Sequence, residues 1–327
     1  MTRQVAAAVV RFALTIALAT APAFGQVQPG GHHRIGYLYG PPVTPGHLVF
    51  EAALRDLGWE TGRNITIEYR SAEGRLDRLP GLAAELVALH VEVIVANSAP
   101  ETSAAGKATR DIPIVFAAHG DPVGTGDVAS LAYPGGNVTG VSQMHPDLSG
   151  KLLGLLRELL PGVKRVAVLW DATVGAKEGD WQGLRIAARA WDIVLQSREL
   201  RSRADLEAVL ASIRTDRPDA LLILGDPLLY SLRQAIADFA IRERLPAMYP
   251  WQSGAQAGGL ISYGADTSDL IRRAAGYVDA ILRGAKPAEL PVQQPTKFEL
   301  VVNAKTAKAI GMTIPESVLL RADRVIE

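Results

Sequence analysis

Short apolar runs alternate with longer stretches whose apolar residues fall three and four apart, and this alternation continues from residue 34 to the tail of the chain. The first kind of segment suits strands, the second helices. In the first half the sequence predicts strands at 34–39, 65–69, 91–96, 112–117 and 138–142, with helices at 47–57, 79–89 and 99–109. The nearly continuous apolar run at 91–96 is what a strand covered on both faces requires. From residue 148 the pattern starts again. Helices are predicted at 148–160, 181–191, 204–213, 228–243 and 270–282, strands at 165–170, 193–200, 220–224, 246–249, 259–263 and 298–303, and two short helical pieces close the tail. Alternation this dense implies an α/β fold of parallel sheets with helices on both faces. VEVIVANSAP and IPIVFAAHGDP in the first half are mirrored by PDALLILGDP and LPAMYP in the second, a weak repeat at a lag of roughly 130 residues. Two doubly wound lobes of similar plan would produce it. In such sheets ligands bind beyond the carboxyl ends of the strands, and two lobes can bring those ends to one cleft.

Residues 1–25 read as a secretory signal peptide: Arg3 precedes an Ala-rich apolar stretch at 5–23, and Ala21-Pro22-Ala23 and Ala23-Phe24-Gly25 fit small-x-small cleavage sites. Residues 26–33 read as a flexible leader. Without Arg3 and Arg11 the balance of 34 basic and 34 acidic residues becomes 32 against 34, a net charge of −2. That even balance argues against nucleic acid as a partner. The chain has no cysteine, hence no disulfide, no thiolate metal site, no cysteine nucleophile and no thiol for a lipid anchor. A soluble periplasmic protein, not lipid-anchored, is the expectation.

The familiar catalytic and cofactor signatures are missing. After the first strand the chain reads GPPVTPG rather than GxGxxG, SGKL at 149–152 lacks the rest of a P-loop, and neither GxSxG nor HExxH occurs. Only His32 and His33 adjoin, in the leader, so no metal, no cofactor and no enzyme activity is expected. What remains is polar and aromatic residues at strand ends. Ser98 precedes a helix and either caps it or receives a ligand carboxylate beside the free N–H groups there. Asp121 and Asp226 each precede a proline, which marks a helix start, yet each is also placed to pair with a ligand ammonium. Tyr39, Trp170, Asp171, Tyr249, Trp251 and Tyr263 stand at strand ends too, where aromatics either pack lobes together or sandwich a flat ligand group. A small amphoteric solute such as an amino acid suits this set.

The segments GRNITIEYRSAEGRLDRLPGLAAELVALHVEVIVA (62–96), IPIVF (112–116), GDPV (120–123), PGGNVTGVS (134–142), LPAMYP (245–250), AGGLISYG (257–264) and the stretch 272–315 together resemble ABC-transporter substrate-binding proteins related to tryptophan-uptake binding proteins. The resemblance implies a type I periplasmic-binding-protein fold, with two lobes joined by three crossover strands near 142–145, 263–266 and 290–296. The first lobe would hold 34–143 and about 265–292, the second 144–264 and about 293–327. It also implies that the cleft involves Tyr39, Asn97, Ser98, Ala99, His119, Gly120, Asp121, Asp171, Gly225, Asp226 and Tyr249. Tyr263 joins this set as a strand-end aromatic. The expected function is capture of a small organic, amino-acid-like solute, with aromatic side chains included, by hinge closure. The expected partners are the membrane permease and ATPase subunits of an importer, with the protein itself a monomer. The alternative is a periplasmic ligand-sensing partner of a membrane receptor.

Overall fold

The computed structural model describes residues 31–40, 46–174 and 177–327. The expected signal peptide, 1–25, and residues 26–30 of the expected leader lie outside the described residues. The end of that leader is built into the fold instead. His33 opens strand β1 (His33–Tyr39), with its Nδ1 2.9 Å from Glu92 Oε2 and its ring edge-on to Trp59, while His32 Nε2 lies 2.6 Å from Thr66 Oγ1.

The first lobe carries β1, β2 (Ile65–Ser71), β3 (Val93–Ala96), β4 (Ile114–His119) and β5 (Val138–Ser142), a parallel sheet in the order β2-β1-β3-β4-β5. Both faces are covered, which is why β3 and β4 are buried at every residue. Helix α1 (Gly46–Asp56) and a late helix, α9 (Thr267–Leu282), pack on one face around Ile35, Phe50, Val95 and Leu270. Helices α2 (Leu79–Ala88) and α3 (Ala99–Ala108) cover the other around Leu38, Leu82, Ile94 and Phe116. Gly58, at φ 94°, follows α1 in the left-handed conformation that a helix stop favours.

The second lobe holds β6 (Arg165–Asp171), β7 (Val194–Leu200), β8 (Ala220–Ile223), β9 (Ala247–Tyr249), β10 (Ile261–Ala265), β11 (Phe298–Asn303) and β12 (Arg324–Ile326), in the order β12-β11-β10-β9-β8-β6-β7. The run β7-β6-β8-β9-β10 repeats the first sheet strand for strand, the structural form of the repeat in the sequence. Helices α4 (His145–Leu159), α5 (Lys177–Trp191), α10 (Ala304–Ile310) and α11 (Glu316–Leu319) bury one face, and α6 (Leu206–Asp216) and α7 (Pro227–Arg242) the other. The short α8 (Gln252–Gln256) and β12 carried no periodicity long enough to read from sequence.

One pairing is not parallel: β10 and β11 run antiparallel. The chain leaves β10 to form α9 on the first lobe and re-enters the second sheet from that side, so β11 runs in the opposite sense. The chain thus passes between the lobes at 142–145, 265–267 and 283–297. On the third passage it lies along β5, where Ser142 N–H donates to the Gln293 carbonyl at 2.8 Å. Among the described residues no helix is long and apolar enough to cross a membrane.

Candidate functional site

A cavity of about 470 Å³ opens where the chain leaves β3, β4, β5, β6, β8 and β9, so both lobes line it. From the first lobe come Asn97, Ser98 and Ala99 at the start of α3, Ala118 at the end of β4 and Gly120-Asp121 just after it, and Val49 and Ile271 from α1 and α9. From the second come Lys177 and Asp180 on the first turn of α5, Gly225-Asp226 before α7, Tyr230 on α7, and Trp251 with Ser253 after β9. Gln143 and His145, on the first passage between lobes, close one side.

The charged residues are fixed by specific partners. Lys177 and Asp180 form a buried ion pair at 3.0 Å, and the same ammonium donates to the Gly225 carbonyl. Burial pushes the Asp180 carboxyl up, against the charge and hydrogen bond of Lys177. Its Oδ1 is buried with no hydrogen-bond partner. Asp226 is the N-cap of α7: Oδ1 accepts the Leu229 N–H at 2.7 Å, and Oδ2 accepts the Asp171 N–H at 3.3 Å. Burial pushes its carboxyl up to about 7, partly offset by the Lys177 charge. At the start of α3, Ser98 Oγ donates inward to Glu101 Oε2 at 2.6 Å, and Glu101 also accepts the N–H groups of Gly40 and Ser98. Glu101 is fully buried, and burial raises its carboxyl above the ordinary range.

His145 occupies the junction of the lobes. A Cβ on Gly120 would stand 2.7 Å from its Nδ1, and one on Gly225 2.7 Å from its Nε2, so the ring is gripped between two glycine loops. Its Nε2 lies 2.6 Å from Gln143 Oε1, and its backbone N–H donates to the Gly120 carbonyl at 3.1 Å. Burial, with the charge of Lys177, holds the imidazole down at about 3 and therefore neutral at pH 7.

Of the residues singled out in the sequence, Asn97, Ser98, Ala99, Gly120, Asp121, Gly225, Asp226 and Trp251 line the cavity. The others do not. Tyr39 is buried in the first lobe, stacked on Tyr37 with ring centroids 4.2 Å apart. Tyr249 is buried in the second lobe beneath Gly254 and Gly259, where a Cβ on either would collide with its ring. Tyr263 stacks on Phe298 and receives a hydrogen bond from Lys151. Asp171 is buried and turns its Oδ1 to the Thr173 N–H at 2.8 Å. His119 lies under the cavity floor: its Nδ1 accepts the Asp121 N–H at 3.2 Å, which leaves Nε2 to donate to Asp127 at 2.9 Å. Asp121 starts no helix; its Oδ1 accepts the Gly124 N–H at 2.8 Å in a turn.

Sequence reasoning passed over Lys177, Asp180, His145, Gln143 and Tyr230. The predicted helix began at 181, so Lys177 and Asp180 read as loop. His145 and Gln143 read as hinge rather than wall. Among the described residues no cluster of three or more metal-ligating side chains occurs.

Two α/β lobes of one topology, crossed three times by the chain and enclosing a polar cavity at their strand ends, make this a solute-binding protein of the type I periplasmic-binding fold. The sequence places it more narrowly. The chain belongs to the ABC transporter substrate binding protein family, whose profile matches residues 47–326. It is 28% identical over 273 residues to a tyrosine-binding protein of Clostridioides difficile (strain R20291), covering 83% of this chain and 78% of that one. The solved structure of an ABC domain in complex with L-Trp from Streptococcus pneumonia is 26% identical and superposes with a TM-score of 0.85, covering 90% of this chain and all of that one (100%). A conserved domain protein from Vibrio cholerae is 29% identical, with a TM-score of 0.84 over 90% of this chain and 99% of that one.

Proposed function

We propose that the protein is exported to the periplasm, binds an amino-acid-like solute with an aromatic side chain, and delivers it as an unanchored monomer to the permease and ATPase subunits of an ABC importer. The observation that carries this reading is the cavity lined from both lobes, with charged groups at one side and Val49, Tyr230, Trp251 and Ile271 as apolar wall. Its volume of about 470 Å³ lies within the range of small-molecule sites. The tyrosine-binding relative and the L-Trp complex support the choice of solute. Capture works by closure. Each lobe holds part of the contact surface, so the closed state alone makes all the contacts, and the solute shifts the population toward it.

Thermal unfolding of the mature chain against amino acids, aromatic acids, nucleosides and sugars tests this. A true ligand at 100 times its Kd stabilises the fold by about 2.7 kcal/mol. A shift with tyrosine or tryptophan, with compaction in small-angle scattering, is the expected result. A shift with sugars alone, or binding without compaction, contradicts it.

A further inference from the structure

The cavity carries three carboxylates, Asp121, Asp180 and Asp226, against one ammonium, that of Lys177. They are not equivalent. Asp226 already has a backbone donor on each oxygen, and as the N-cap of α7 it is committed to the fold. Asp121 uses Oδ1 on the Gly124 N–H and is half-buried. Asp180 is 3% exposed; Lys177 occupies Oδ2 and nothing donates to Oδ1. A buried carboxylate oxygen without a donor is among the costliest polar groups to leave unmade. Lys177 does not serve it: its ammonium bonds Oδ2 and the Gly225 carbonyl, and Oδ1 is left without a partner.

We propose that Asp180 determines specificity by receiving the solute's ammonium group at Oδ1, while Asp226 holds the helix and the loop of Asp171. This rests on the reading of the cavity as an amino-acid site. With a solute in place, its ammonium joins that of Lys177 against Asp180 and supplies the donor that Oδ1 lacks. The second cation also offsets the burial that raises the Asp180 carboxyl. A deaminated analogue brings no such charge and leaves Oδ1 unserved.

Calorimetric titration of wild type, Asp180→Asn and Asp226→Asn with L-tyrosine and L-tryptophan, and with their deaminated analogues 3-(4-hydroxyphenyl)propionate and indole-3-propionate, decides the matter. Wild type is expected to prefer the amino acids by about 30-fold or more. Asp180→Asn is expected to lose about 30-fold on the amino acids and little on the analogues, so that the preference collapses; Asp226→Asn is expected to keep it. A general structural defect would weaken both kinds of probe alike, which makes the ratio the informative readout. If Asp180→Asn does not fold, the Lys177→Gln/Asp180→Asn double variant, which removes both charges, gives the same test. Preference retained without Asp180, or lost in Asp226→Asn alone, overturns the assignment while the amino-acid reading stands. Wild type that binds neither amino acid overturns the reading of the site, and this inference with it.

Discussion

Gly225→Ala tests the grip on His145. The added methyl would stand 2.7 Å from His145 Nε2 and closer still to the neighbouring ring carbon, well inside van der Waals contact. The ring has little room to yield. Gly120 backs it on one side, Gln143 holds Nε2 at 2.6 Å, and the His145 N–H is tied to the Gly120 carbonyl. Overpacking of this kind costs about 1–3 kcal/mol. Gly120 belongs to the first lobe and Gly225 to the second, so separating the lobes loosens the grip, and the cost falls mainly on the closed state. At about 1.4 kcal/mol per decade, Kd rises about 5- to 140-fold. The melting temperature of the unliganded variant, free to open, stays within about 2 °C of wild type. Calorimetry of the solute and differential scanning of the unliganded protein read the two quantities separately. Adding His145→Ala removes the obstructing ring and is expected to restore most of the closure. An unchanged Kd in Gly225→Ala, or a loss of unliganded stability as large as the loss of binding, would refute this reasoning.

Other expectations concern charge. Asp226, pushed up to about 7, keeps a proton in the folded state that the unfolded chain releases near pH 4, so its contribution to stability falls as pH rises from about 4 to 7. His145, held at about 3, refuses a proton that the unfolded chain takes below about 6.5, so its contribution falls as pH drops from 6.5 toward 3. These slopes oppose between about pH 4 and 6.5; relative to wild type, melting series are expected to fall toward alkaline pH in His145→Gln and toward acid pH in Asp226→Asn, and parallel series for all three would count against both assignments. Lys177→Met leaves the Asp180 charge buried and unpaired, which costs about 3–5 kcal/mol in urea unfolding, whereas Lys177→Met/Asp180→Leu recovers most of it. A loss below about 1 kcal/mol in the single variant would mean that the pair is solvated after all.

Most of the fold was legible because buried parallel strands and amphipathic helices leave periods that survive in one sequence. The strand at 298–303 and the helix 79–89 are cases in point. Periodicity could not say that α9 belongs to the first lobe, since Leu270, Ala274 and Val278 make the same stripe whichever sheet receives it. That placement came only with the family resemblance. Nor could it reveal that β11 reverses direction. At the cavity, residues just past the strands were legible: Asn97, Gly120 and Gly225 mark where the backbone leaves the sheet. The aromatics on the strands misled. Side chains within a doubly covered sheet point into its helix-covered faces, so Tyr39 and Tyr249 face their lobe cores while the next loop faces the cavity. Lys177 and Asp180 stayed hidden because an ion pair three residues apart reads as a solvated helix turn unless burial is known.

The docking of α9 has a bearing on how the chain is made. The core of the first lobe is closed by Leu270, Ala274, Val278 and Ile281, although its last strand ends at Ser142. At ribosomal rates the 140 residues from Ser142 to Leu282 take about 7–28 s to synthesise. Throughout that interval the sheet face of Ile35, Val95 and Val115 lacks half its cover, and the nascent chain cannot complete its first lobe. For the export proposed above, this order of events means that the segment that commits the chain to its native state emerges late, after the rest of the first lobe.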